Sequence, residues 1–127
     1  MILVDTSIWI DFLKNKSRLR LSEDLIKQVA TCPPVIQEIF QGLRDTKESE
    51  SFKEFFLAIP IFSEPTPLED FIQASEIYSQ ARKKGITLRS STDCLIAAIA
   101  IRHRLPVWHK DRDFTAIARI TNLKIYN

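Results

Sequence analysis

A three-layer α/β/α sandwich around a mostly parallel sheet is the architecture this sequence predicts, and three observations predict it. Short unbroken apolar runs, the first of them Ile2-Leu3-Val4, read as strands buried on both faces, as in a parallel sheet. Such runs alternate with stretches of helical periodicity, the order of βα units. The 127 residues, 45% of them hydrophobic and free of low-complexity tracts, suit a single domain over 1–127 with one core.

The elements follow in order. Strand one ends at Asp5, at the carboxyl edge where open α/β sheets place their ligand crevice. Thr6 or Ser7 can cap a helix over Ile8–Leu13. Lys14 to Arg20 is a basic, polar linker, and Ser22-Glu23-Asp24 opens a short helix with its acids at the favourable end of the dipole. Val29–Cys32 reads as the second strand. Pro33-Pro34 stops it and starts a helix to Leu43. Asp45–Ser51 reads as a charged loop, Phe52–Ala58 as an aromatic helical segment, and Ile59–Phe62 as an edge strand, because of Pro60. Thr66-Pro67-Leu68-Glu69 is a helix start of capping-box type. That helix ends in Arg82-Lys83-Lys84-Gly85, cations in the last turn and a glycine cap. Ser90–Asp93 caps the next helix, which is apolar nearly all round through Ile101 and is therefore buried. Leu105–Trp108 is the fourth strand, a helix runs from Thr115, and Leu123–Tyr126 is the last strand.

Composition narrows the function classes. A net charge of +2 permits nucleic-acid binding through local patches without demanding it. Cys32 and Cys94 have no metal-ligand spacing and read as buried small hydrophobes in a reducing cytosol. Asp5 interrupts the first apolar run before a signal peptide could form, and no window approaches the roughly 20 apolar residues of a membrane span. A cytoplasmic protein is expected.

The acids carry the chemistry. Asp5 follows strand one and Asp111 follows strand four. Asp93 opens a buried helix, and Glu38 shares a face with Pro34, Val35 and Gly42. In a parallel sandwich, strand carboxyl ends and helix starts lie at one edge, so these four can converge. Carboxylates gathered in one crevice repel unless a cation compensates, and an oxygen-only donor set selects Mg²⁺ or Mn²⁺. Phosphodiester hydrolysis is the chemistry that fits such a cluster. Each acid also has a plainer reading: Asp93 as a helix-start acid, Asp5 as a turn former, Asp113 as a first-turn acid beside Asp111. Glu38 is the hardest to explain that way, since unpaired carboxylates are almost never buried.

Four blocks resemble the signature blocks of PIN-domain nucleases, and in particular those of VapC toxins of VapBC toxin–antitoxin systems. They are Val4–Asp11, Glu38–Gly42, Arg89–Ala98 and Asp111–Phe114. Together they span the chain in order. The resemblance implies an Mg²⁺- or Mn²⁺-dependent endoribonuclease that cleaves structured RNA, commonly tRNA, with a metal-activated water. Asp5, Glu38, Asp93 and Asp111 match the family's catalytic quartet. It implies Asp5, Asp93 and Asp111 as metal ligands, Asp113 as a fifth acid that either joins them on the metal or stands just behind them, and Thr6 or Ser7 as the hydroxyl that steadies the first aspartate. It also implies a VapB-like antitoxin as partner and a homodimer.

Arg89 and Arg112 adjoin the expected crevice and are candidates to bind RNA phosphates. The strips Lys14, Lys16, Arg18, Arg20 and Arg82, Lys83, Lys84 read chiefly as solvated faces and a helix terminus. Trp9 reads as core. His109 reads as structural or solvated, and His103 as surface. Phe52–Ala58 is either core or a partner surface. Two other classes compete: a receiver-type phosphoacceptor module and a catalytically silent PIN-like binding protein. A receiver needs an acidic pair after strand one and a lysine after the last strand, and neither is present.

Overall fold

In a computed structural model, residues 1–14 and 22–127 are described; Lys16, Arg18 and Arg20 of the first basic strip lie outside them. Three parallel strands form the sheet in the order β2-β1-β3: β1 (Ile2–Val4), β2 (Val29–Ala30) and β3 (Val107–Trp108). Helices cover both faces, as the alternating pattern requires. They are α1 (Thr6–Lys14), α2 (Glu23–Ile26), α3 (Pro33–Gly42), α4 (Lys47–Ala58), α5 (Leu68–Lys83), α6 (Ser91–Arg102) and α7 (Arg112–Ile120).

All three residues of β1 are buried, as expected of a strand covered on both faces. The expected edge strand at Ile59–Phe62 and the last strand at Leu123–Tyr126 shrink to single parallel bridges, Thr31 with Ile61 and Val107 with Ile125. Pro60 has no N–H to donate, which accounts for the first reduction.

Helix boundaries differ where caps outweigh composition. The expected loop 45–51 is largely helix, because Thr46 Oγ1 accepts from the Ser49 N–H at 3.1 Å and opens α4 at Lys47. Helix α7 begins at Arg112, three residues before the expected Thr115, because Asp111 caps it. Thr66 does not cap α5; its hydroxyl donates to the Ser63 carbonyl at 2.7 Å and Pro67 holds the cap position. Ser90 stands at the start of α6 without a side-chain cap bond.

The core is continuous from β1 through α6, where Ile96 to Ala100 are all buried and the alanines let the helix approach the sheet. Trp9 is core. Its ring meets Phe56 edge-on at 5.0 Å between centroids, with Phe52 and Phe55 at 6.4 and 6.2 Å. The segment 52–58 thus packs inward through Phe56 and leaves Leu57 exposed.

Helix α5 ends as its sequence predicts. Gly85 adopts φ +73°, and the Ile86 N–H reaches back to the Ala81 carbonyl at 2.8 Å. Nothing lies within 4 Å of where a Cβ would stand, so Gly85→Ala isolates the backbone term. It is expected to cost about 1 kcal/mol, a fall of roughly 3–6 °C in melting temperature. A thermal melt checks this, and an unchanged midpoint would refute the cap.

A carboxylate site at the carboxyl edge of the sheet

The register of the sheet assembles the site. β1 and β3 pair as Leu3 with Val107 and Val4 with Trp108, so both strands run out at the same level. The Asp5 N–H closes that ladder on the Trp108 carbonyl at 2.9 Å. Asp5 therefore leaves β1 beside the segment that leads to Asp111 and Asp113. The first turn of α6 brings in Asp93. Asp93, Asp111 and Asp113 each present an oxygen within 4.8 Å of the others. Asp5 falls outside that span but is close enough for its charge and that of Asp111 to repel.

The hydroxyls do not have the role expected of helix caps. Ser7 lies inside α1, and its Oγ donates to Asp5 Oδ2 at 2.6 Å while accepting from the Lys110 N–H at 3.1 Å. One side chain thus fixes the first acid and ties it to the segment after β3. Thr6 turns elsewhere: its Oγ1 donates to Glu38 Oε1 at 2.8 Å. Of the two hydroxyls, that of Ser7 steadies Asp5, and that of Thr6 tethers Glu38. Glu38 is half-buried, held by Thr6 next to the site and outside the tight trio.

Asp113 is a clasp as well as an acid. Its Oδ2 accepts from the backbone N–H groups of Arg89 at 2.9 Å and Ser90 at 3.2 Å. That satisfies the two backbone amides just ahead of α6. Asp111 Oδ1 accepts from the Asp113 N–H at 2.9 Å, the cap of α7. The Arg89 guanidinium lies over both acids, 3.4 Å from Asp111 and 3.9 Å from Asp113. Arg112 is exposed on the first turn of α7. His109 stacks near Phe114 with its Nδ1 buried and unpartnered, in keeping with a packing role.

Electrostatics divide the acids. Burial, then the proton shared with Asp111 and the charges of Asp111, Asp5 and Asp113, push Asp93 up to about 9. Burial also raises Asp5, against the lowering hydrogen bonds of Ser7 and Thr6. Asp111 goes the other way. Burial opposes its charge, but the Asp113 N–H, the proton from Asp93 and the Arg89 cation together hold it below the usual carboxylate range. The metal-free site thus holds a proton between Asp93 and Asp111 more tightly than separate carboxylates would.

That is the signature of too much negative charge in too little solvent. Asp93 is 5% exposed, and its Oδ2 is buried with no hydrogen-bond partner. A buried carboxylate with an orphaned oxygen, clustered with two more carboxylates, fits a hard divalent cation, and the donors are all oxygen. The residues present fit Mg²⁺ or Mn²⁺.

The sequence reading missed two local features. One is the tie through the Lys110 backbone, which no side-chain pattern could signal. The other lies at the far end of α6, where Arg102 closes over the buried Asp70 and Ser63 in a polar node that also bonds His103, which is half-buried rather than at the surface.

Comparisons with known proteins give one consistent family. The model of the PIN domain family matches residues 2–120. A Mycobacterium tuberculosis protein named ribonuclease VapC11 is 38% identical over 98% of this chain and 96% of its own. Ribonuclease VapC1 of Methanocaldococcus jannaschii is 30% identical over 99% of this chain and 87% of its own. Among solved structures, VapBC-1 of nontypeable Haemophilus influenzae superposes with a TM-score of 0.73 at 17% identity, covering 100% of this chain and 98% of that one.

Proposed function

The chain belongs to the PIN-domain family and, within it, to the VapC ribonucleases; on that footing we propose that it is a divalent-metal-dependent endoribonuclease toxin. The observation that carries this reading is the convergence of carboxylate oxygens of Asp93, Asp111 and Asp113 within 4.8 Å of one another, with Asp93 buried and one of its oxygens unpartnered. We assign Asp93, Asp111 and Asp113, with Asp5 beside them, to hold Mg²⁺ or Mn²⁺. Glu38, tethered by Thr6, completes the catalytic acids. Held by these carboxylates, the cation would supply a more acidic bound water and offset charge on the phosphate.

The protein's own residues do the rest. Ser7 keeps Asp5 in one orientation, so the acid needs no rearrangement when substrate arrives. Asp113 keeps the turn at Arg89 and Ser90 against α7, which fixes the distance between Asp93 and Asp111. Arg89 and Arg112 stand at the rim and bind RNA phosphates, in a salt-dependent contribution. Structured RNA, tRNA foremost, is the substrate class.

The partner in this proposal is a VapB-like antitoxin. An apolar groove lined by Phe12, Leu13, Leu43 and Phe52 opens between α1, α3 and α4, on the side of the site where Glu38 lies. We assign self-association as a homodimer to exposed apolar residues of α5, Leu68, Phe71 and Ile72. No helix among the described residues is long and apolar enough to cross a membrane.

The test is cleavage of a small-RNA pool by purified protein freed of antitoxin, with Mg²⁺, with Mn²⁺ and with EDTA, and with the ends of the products mapped. Metal-dependent cuts at a few sites, lost in EDTA, are expected. A folded protein that binds Mn²⁺ and leaves every RNA intact would favour the silent binding protein instead.

A further inference from the structure

Resting on the nuclease reading above, we propose that Arg89 is a placeholder cation. It neutralises Asp111 and Asp113 until a divalent ion takes their charge, and the displaced guanidinium then grips a phosphate of the RNA. Three observations lead here. The backbone at Arg89 is anchored, by two N–H donors on Asp113 Oδ2 at 2.9 and 3.2 Å. Its head is not. The guanidinium stands 3.4 and 3.9 Å from its acids and the side chain is 58% exposed, whereas charge-assisted N–H···O bonds close to about 2.7–2.9 Å. Arg102 of this same chain shows what a committed pair looks like, with 2.6 and 3.0 Å contacts to both oxygens of Asp70.

The third observation is what Arg89 leaves undone. Asp93, whose carboxylate clusters with the two acids Arg89 covers, keeps a buried and unpartnered Oδ2, so the resident cation does not complete the site. A small dication can serve all three carboxylates together. Once it does, a guanidinium over the same oxygens meets like charge within a few ångströms, in surroundings that screen poorly. The anchored backbone keeps the released head within one side-chain length of the site. Its planar fork suits a phosphate's paired oxygens better than a lysine would. Lys110 does not compete for this role, because its ammonium is already paired with Asp11.

Metal and RNA are therefore linked through one side chain, and the linkage can be measured without catalysis. Isothermal titration of Mn²⁺ into the EDTA-stripped full chain should show Arg89→Gln binding about three- to tenfold tighter than wild type, since the competing cation is gone. Arg89→Lys, which keeps the charge, should stay near the wild-type value. Anisotropy of a labelled oligouridylate in the presence of Mn²⁺ should show the reverse order, with Arg89→Gln weaker by about fivefold. Thermal melts in EDTA confirm that the variants fold. An Mn²⁺ affinity in Arg89→Gln equal to or weaker than wild type overturns the placeholder while leaving the nuclease reading intact. Tighter Mn²⁺ with unchanged RNA affinity overturns the phosphate grip. Wild-type protein that binds no Mn²⁺ overturns the metal site and this inference together.

Discussion

Asp93→Asn is expected to reduce metal-dependent RNA cleavage by on the order of 10³-fold or more, while the metal-free protein folds at least as well as wild type. The two halves have one cause. Burial and the neighbouring carboxylates raise Asp93 from 3.8 to about 9, so the metal-free fold contains the neutral acid, and asparagine is nearly its isostere. An acid whose pKa is raised on folding contributes stability that is fully present below its unfolded value. That contribution is lost as pH climbs through the folded value. Metal-free wild type should therefore melt progressively lower from about pH 5 to about pH 9, and Asp93→Asn should show a flatter profile there. Mn²⁺ reverses the preference, because a ligand must be deprotonated. Added Mn²⁺ should raise the wild-type melting temperature at about pH 8 by mass action on the native state, and leave Asp93→Asn little changed. Calorimetry with EDTA and with Mn²⁺ gives both comparisons. Retained cleavage in the variant would remove Asp93 from the site.

How much of this was legible without coordinates depends on what set each position. Asp5 and Asp111 follow apolar runs and Asp93 precedes one, so strand ends and a buried helix start were visible as patterns, and parallel topology placed them at one edge. Their partners were not visible. Whether Ser7 or Thr6 reaches Asp5 depends on where α1 starts, and both lie within its first turn, pointing at different acids. The early starts of α4 and α7 follow from Thr46 and Asp111 used as caps, and a capping acid and a liganding acid look alike in sequence. The two outer strands failed for a different reason. Ile59, Phe62, Leu123 and Ile125 do pack against the core, but only one bridge holds each segment to the sheet. Apolar pattern reports burial and not ladder length.

The larger effect on the fold is expected at the opposite end of α6, from Arg102→Ala. Asp70 is 1% exposed and accepts both arms of Arg102, at 2.6 and 3.0 Å, while Ser63 Oγ donates to it at 2.7 Å. Burial works against the Asp70 charge, yet those hydrogen bonds and the guanidinium hold its pKa below the usual range. Removing the arginine leaves a buried carboxylate with one hydroxyl for company, which typically costs about 3–5 kcal/mol. The Arg102 side chain is 33% exposed, so water already screens part of the pair and the loss belongs at the lower end of that range. The pH dependence separates this from lost packing. A depressed acid contributes stability that is present above its unfolded value and disappears as pH falls through the folded one. In Arg102→Ala the same carboxyl loses its cation and prefers its proton, so the deficit should be widest near neutrality and narrow in acid. Asp70→Asn combined with Arg102→Ala should recover part of the loss, since no charge is then left buried. Cleavage per folded molecule should be unchanged, because this node does not touch Asp93, Asp111 or Asp113. A loss independent of pH would mean that the arginine acts through its aliphatic stem, and that Ser63 and His103 suffice to hold the segment between α4 and α5 against α6.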